Sequence, residues 1–349
     1  MASGAYGEQP EVLAHVNRSP RYASGPTTFF RLPYEPDSKA EIGIVGVPFD
    51  GGVTNRPGAR HGPRSVRQES SEHVRPVSNG ISPYELASIK DFGDIIVQRP
   101  YELIGAHREI EEGYASLLKE NVDKIVAVGG DHSISLPILR ALYERHGKMN
   151  LIHIDAHCDT GDEYMGSRFH HGSPFKVAVD EGLIDPERSV QIGIRGTLGS
   201  PDAWKFSYDS GMRVITMDEF DDTFWAQDRS LQNLSELLNV IGDDVDPTYL
   251  TFDIDALDPA NAPGTGTPEP GGMSVRQAQV LLRNCILPLD KNIVGADLVE
   301  VSPPFCTGYL TAFNAANLLH DILCITASST NNRREEEAGE KEEEEVEKE

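Results

Sequence analysis

Short runs rich in Val, Ile and Leu alternate along this chain with longer stretches of helical periodicity, and this constrains its fold more than any other feature. Candidate strands occupy residues 41–48, 91–97, 124–129, 150–155, 189–194, 213–217, 248–253 and 293–301. Several are almost unbroken in aliphatic residues rather than alternating with polar ones, as expected of strands covered on both faces. Helical segments are expected at 63–69, 101–120, 134–146, 172–181, 228–241, 274–284 and 311–325. In the sixth of these, Ser274 stands as an N-cap ahead of Val275, Ala278 and Leu281. Sustained strand–helix alternation implies an α/β architecture, a mainly parallel sheet sandwiched between helical layers.

No repeat or linker divides the body, so residues 39–330 read as one domain, within reach of a 349-residue chain. Residues 1–38 are rich in Gly, Pro and polar groups and read as an extension, with Phe29, Phe30 and Leu32 as its anchor on the body. Residues 331–349 form a Glu-rich tail, expected to be disordered or a fraying helix. The apolar runs are strand-length, so no bilayer span is expected, and the N-terminus does not read as a secretory signal. Four scattered cysteines fit reduced thiols in the cytoplasm. A formal charge of −25 argues against nucleic acid or an anionic membrane as partner. From Arg333 to Glu349, ten Glu against four Lys or Arg contribute −6 of that charge.

Three clusters of acids and histidines each follow a candidate strand: Gly129-Gly130-Asp131-His132-Ser133, Asp155-Ala156-His157-Cys158-Asp159 and Asp253-Ile254-Asp255. In open parallel sheets, ligands bind beyond the carboxyl ends of the strands, so three such ends can converge on one crevice. Asp155, His157 and Asp159 recur every two residues, as do Asp253 and Asp255, so an extended backbone would send each set to one face. With His132 the set is two His and four Asp. Four carboxylates at one point repel one another unless cations lie among them. An oxygen-dominated set of six fits two hard or borderline divalent ions, Mn²⁺ before Zn²⁺. His153 shares the face of Asp155 one step deeper and reads as a satisfied core histidine.

The segments GGDHS, DAHCDT, FDIDALDPANAPGTGTPEPGG and DLVEVSPP resemble, in order, the four signature segments of the ureohydrolase (arginase/agmatinase) family, a resemblance covering residues 28–325. NRPGARHGPRSVR, residues 55–67, is similar to the agmatinase-like branch. The resemblance implies an eight-stranded parallel sheet in three layers and homo-trimers or hexamers, a hetero-oligomer being an alternative. It also implies two Mn²⁺ ions (Ni²⁺ or Co²⁺ as alternatives), with His132, Asp155, His157, Asp159, Asp253 and Asp255 as ligands. Phe169-His170-His171-Gly172 resembles the family's His-Gly segment, which makes His171 the proton shuttle and His170 either a supporting neighbour or a bystander. Glu300 matches the Glu that grips the guanidinium, and a Glu in an apolar strand is costly without a partner.

The implied reaction is hydrolysis of a small cationic guanidino compound to urea and an amine. The segment 160–169 is where the family sorts substrate tails, and here it leaves several substrates open. Asp162 or Glu163 could meet the ammonium of agmatine, and Arg168 the carboxylate of guanidinobutyrate or guanidinopropionate. Tyr164 and Met165 could wall a pocket for a substituted guanidine or biguanide. Two other classes compete: a single-zinc amide hydrolase or deacetylase, and a catalytically weak partner subunit of a hetero-oligomer.

Overall fold

The computed structural model describes residues 27–72, 80–196, 202–224, 235–236 and 238–347, with side chains as far as 334. Eight strands form one sheet: β1 (Ala40–Val47), β2 (Ile89–Asp94), β3 (Val122–Gly129), β4 (Asn150–Ile154), β5 (Val190–Ile194), β6 (Arg213–Thr216), β7 (Pro247–Asp253) and β8 (Asn292–Val299). Their spatial order is β2-β1-β3-β8-β7-β4-β5-β6, and every pairing is parallel.

Successive side chains on a strand point to opposite faces, and here both directions end in apolar packing. In β3, Val126 and Val128 join a core on one side of the sheet, while Ile125 and Ala127 join a second core on the other. The helices Leu103–Glu120 (α3), Ser135–His146 (α4) and Pro174–Asp180 (α5) cover the second side. The first side is covered by Gly62–Glu69 (α1), Met217–Phe224 (α7), Val275–Val280 (α8) and the start of Leu310–Glu347 (α9). The three-layer expectation is met. Ser274 caps α8 as expected, in a reciprocal box in which Gln277 N donates to Ser274 Oγ and Ser274 N to Gln277 Oε1.

The differences from expectation are local. Short helices Pro83–Leu86 (α2) and Lys205–Ser210 (α6), together with α7, occupy stretches with too few turns to show a period. The helix expected at 228–241 falls largely outside the described residues. Strand β2 ends at Asp94, after Gly93 takes φ +80°, so Ile96 is left 77% exposed instead of paired. Helix α9 continues into the Glu-rich tail, a stretch of strong helix formers, with Arg334 tying it to Glu41 and to the carbonyl of Leu86. The 310–334 part of α9 is long and apolar enough to cross a membrane, but 78% of its most apolar window is buried in the protein, as in a core helix. Phe29, Phe30 and Leu32 are buried, so the expected anchor of the N-terminal extension is met for its described part.

Candidate functional site

The centre of the sheet runs β3-β8-β7-β4, and the residues following these four strands carry the acids and histidines singled out above. Register brings them level. Ile154 pairs with Phe252 and Asp253 with Val299, so Asp155, Asp253 and Glu300 leave neighbouring strands at nearly one height.

Beyond each strand the chain turns, and side chains hold the turns. Asp131 accepts from the amides of Ser133 and Gly52, fixing the 3₁₀ turn that carries His132. A Cβ on Gly52 would lie 2.4 Å from Ser133 Oγ, so the approach of these two loops needs glycine. Asp155 Oδ1 accepts from His157 N, and Asp253 Oδ1 from Asp255 N. The alternating positions therefore meet through turns closed by their own carboxylates, not through the extended backbone expected from spacing. Asp159 (φ +49°) and Glu300 (φ +62°) both adopt the left-handed region, uncommon for residues with a Cβ and concentrated at functional sites. Glu300 was expected inside a strand; it lies one residue past β8, its amide bonded to Gly130 O.

The six side chains converge. His132 Nδ1 lies 3.1 Å from Asp155 Oδ2, 3.0 Å from Asp159 Oδ2 and 3.3 Å from Asp253 Oδ2. His157 Nδ1 lies 3.4 Å from Asp155 Oδ1 and 3.3 Å from Asp255 Oδ2. Asp155 thus turns one oxygen toward each histidine. Two overlapping groups could each hold an ion, one built on His132, Asp155 and Asp159 and one on Asp155, His157 and Asp255. His153 is near enough to count in the first group, but its Nε2 is bonded to Asp155 and its Nδ1 to Gln191, as a satisfied core histidine should be.

Electrostatics favour cations here. Burial, then repulsion from Asp255 and Asp155, holds the Asp253 carboxyl well above its ordinary range. Burial and Asp155 push Asp255 up to about 6. Burial opposes charge on His132, yet Asp155, Asp159 and Asp253 outweigh it and hold the imidazole well above its ordinary value. Carboxyls pushed toward protonation, as Asp253 and Asp255 are, are relieved when divalent ions take the place of those protons.

Glu300 Oε1 accepts from His132 N and lies 2.9 Å from His171 Nδ1, while its buried Oε2 has no hydrogen-bond partner among the described residues. The other nitrogen of His171 meets Thr54 Oγ1 at 2.9 Å. Burial works against charging His171, but Glu300, with Asp131 and Asp159, holds it up at about 9, ready to donate a proton. His170 is held by the chain near it, Nε2 on the carbonyl of Asp162 and Nδ1 accepting from Gly172 N, and it lines the open cavity over the site. Burial pushes the neighbouring Cys158 thiol up to about 12, an unreactive sulfur.

A cavity of about 550 Å³ opens over His157, Asp159, Asp253 and His171, with Asn55, Tyr164, Trp204 and Thr267 also in its wall; Glu300, 1% exposed, is not among its lining residues. The substrate-tail candidates are only partly at hand. Asp162 and Glu163 line an adjoining outer space together with Lys176 and Lys205. Arg168 is not brought to the cleft; half exposed, it pairs with Asp180 at 2.8 Å. Met165 is 90% exposed at the tip of a turn. Sequence reasoning passed over Thr54, Asn55, Arg195, Trp204 and Glu269, which reach the site from loops remote in sequence. Two of them had a signal, Asn55 as the first residue of the 55–67 segment and Glu269 within the signature segment 252–272.

Residues 40–324 match the arginase family. The chain is 48% identical to guanidinopropionase of Pseudomonas aeruginosa over 89% of its own length and 94% of that protein. It is 43% identical to the mitochondrial agmatinase of Gallus gallus, covering 86% of each. Among solved structures, proclavaminate amidino hydrolase of Streptomyces clavuligerus superposes with a TM-score of 0.80 at 39% identity, covering 89% of this chain and all of that one.

Proposed function

The chain belongs to the arginase family, and from that premise we propose that it hydrolyses a short ω-guanidino acid to urea and an amino acid at a centre of two divalent ions, with Mn²⁺ as the native metal. One observation carries the reading: two histidines and four aspartates from three strand ends meet around Asp155, which offers one oxygen to each side. His132, Asp155, Asp159 and Asp253 would hold one ion, and His157, Asp155 and Asp255 the other, an oxygen-rich set suited to Mn²⁺. Such ions supply Lewis acidity and make hydroxide available near neutral pH.

The chain's own residues supply the rest. A guanidinium is planar and permanently cationic, with N–H groups in a fixed fork. Glu300 Oε2, without a hydrogen-bond partner among the described residues, is a buried acceptor suited to grip that fork and orient its carbon. His171, held on Glu300 through Nδ1 and tilted toward protonation, is the proton source for the departing amine nitrogen, its Nε2 proton passing through the Thr54 hydroxyl that lines the cavity. Thr54 holds the opposite ring nitrogen and so fixes the imidazole's orientation.

The polarity of the cavity wall favours an acid over agmatine. Among the described residues lining it, the only carboxylates are Asp159 and Asp253, both at the metal cluster. Asn55, Tyr164 and Trp204 line it with N–H or O–H groups that have no side-chain hydrogen bond to described residues. These N–H and O–H groups can donate to a carboxylate terminus, whereas no lining carboxylate away from the metal cluster among the described residues is left to pair an ammonium. Four free thiols fit a reducing compartment, the cytoplasm in this reading. Exposed Ile96, Tyr101 and Ile104 fit assembly into a homo-oligomer, a trimer or hexamer.

The test is urea release by Mn²⁺-loaded protein from guanidinopropionate, guanidinobutyrate, agmatine and arginine. A guanidino acid turned over at least tenfold more efficiently than agmatine is the expected result. Preference for agmatine would overturn the substrate assignment, and absence of bound metal would overturn the centre itself.

A further inference from the structure

Behind the two imidazoles that face the metal cluster, the chain sets unlike partners. His132 turns its Nε2 to Thr251 Oγ1 at 2.9 Å, both residues fully buried. His157, a third exposed, turns its Nε2 toward Glu269, whose Oε1 is 3.9 Å away, a span for a direct charge interaction or one bridging water. A hydroxyl therefore backs one histidine and a carboxylate the other.

Glu269 is held there by construction. Gly196 (φ +90°) leaves room for its carboxylate, since a Cβ at that position would lie 2.5 Å from Glu269 Cδ. Next to it, Arg195 leaves the end of β5 and donates to the carbonyls of Gly193, Asp255, Ala256, Leu257, Glu269 and Pro270 at 2.7–3.3 Å. Every one of these hydrogen bonds goes to main chain. The guanidinium acts as a rigid spacer between two peptide segments, one carrying Asp255 and the other Glu269, so both carboxylates approach His157 from fixed directions. A Cβ on Gly272 would lie 2.3 Å from Arg195 Nη2, so the second segment closes onto the guanidinium only with glycine at that point.

We propose that Arg195 and Glu269 are positioning residues for the ion at His157, and Thr251 for the ion at His132, so that the two ions are tuned by separate sets of partners. The assignment rests on the two-ion reading above. A partner on the outer nitrogen of a ligating histidine fixes which nitrogen carries the proton and raises the basicity of the other. Glu269 does this with a carboxylate that is one-fifth exposed, and Thr251 with a neutral oxygen in the core.

Full-length protein titrated with Mn²⁺, followed by equilibrium dialysis and by the electron paramagnetic resonance of free and paired Mn²⁺, tests the assignment. Glu269→Gln, nearly isosteric, is expected to keep one ion at wild-type affinity and to bind the other about 10- to 100-fold more weakly. Arg195→Lys, too narrow to span both segments, is expected to weaken the same ion. Thr251→Val is expected to weaken the other. The crossing is decisive in a His157→Ala background, where Glu269→Gln should leave the remaining ion's affinity unchanged and Thr251→Val should lower it. Thermal unfolding of metal-free Glu269→Gln matching wild type separates positioning from general destabilisation. Two ions at wild-type affinity in Glu269→Gln, or a loss spread equally over both, would overturn the proposal. A wild-type protein that binds no Mn²⁺ would instead overturn the two-ion reading beneath it.

Discussion

Asp155 concentrates the chemistry of this protein in one side chain. Fully buried, it lies within 3.4 Å of His132, His153 and His157 and is held well below the ordinary carboxylate range; burial opposes this, and the three histidines outweigh it. The residues around it answer to substitution differently. Asp159→Ala and Asp255→Ala each remove an ion's carboxylate, so turnover should vanish with loss of at least one bound ion; near-normal activity at full metal content in either would contradict the ligand assignment. Glu300→Gln keeps the shape but loses the charge facing the guanidinium, and should lower kcat/KM by about 10²–10³-fold, as losing a charge-assisted contact does. His171→Ala should slow turnover by about 10²–10⁴-fold, the usual worth of a general acid. Metal analysis of His171→Ala should still find both ions; their loss would make His171 a ligand.

At the scale of elements, two polar contacts join the layers around the site. Arg67 on α1 reaches Asp91 on β2 at 2.9 Å, and Asp91 also accepts from the amides of Phe29 and Gly93, so one buried carboxylate ties helix, strand and N-terminal anchor together. Arg67→Ala leaves Asp91 buried without its counter-charge and should cost about 3 kcal/mol in chemical denaturation. On α3, His107 packs against Phe49 and Phe169 and meets Ser133 Oγ at 3.1 Å. Burial, with Arg140 adding repulsion, lowers it from 6.5 to about 4. The unfolded chain then binds the extra proton more readily throughout that interval, so this group's contribution is lost as pH falls from 6.5 toward 4. At about pH 5 the loss amounts to ~2 kcal/mol. Urea unfolding of His107→Gln at neutral pH and near pH 5 should show a shallower acid limb than wild type by roughly that amount; parallel limbs would mean that His107 titrates normally.

For the molecule as a whole, charge and substrate class make a joint prediction. The chain carries −25, which would draw in a doubly cationic amine such as agmatine and make its capture fall steeply with salt. A guanidino acid is zwitterionic with no net charge, so its kcat/KM should change by less than about twofold between roughly 0.05 and 0.5 M salt. A steep decline for the best substrate would point back to a cation. Local physics in the chain alone made much of this architecture legible. Unbroken aliphatic runs such as Leu151-Ile152 in β4 are strands that must be covered on both faces, and each observed strand overlaps the one expected. The acids and histidines were legible for a similar reason, since carboxylates so close in sequence demand counter-charge wherever they are placed.

Tertiary structure decided what depends on contacts between distant segments. Sheet order set β3, β8, β7 and β4 side by side, and register put Asp155, Asp253 and Glu300 at one level. Neither quantity is written in a local period. Arg168 had the right chemistry for a carboxylate, but it follows the Tyr164–Ser167 turn outward to Asp180. Arg195, by contrast, carries no signal in the sequence, and its place is defined only where the 255–270 segment folds over it. What the sequence by itself determined was the kind of groups at the site and the elements that carry them, because hydrophobic period and like-charge repulsion act over a few residues. The partners of those groups were decided only when the sheet closed, because hydrogen bonds and charge pairs act over ångströms in space between residues far apart along the chain.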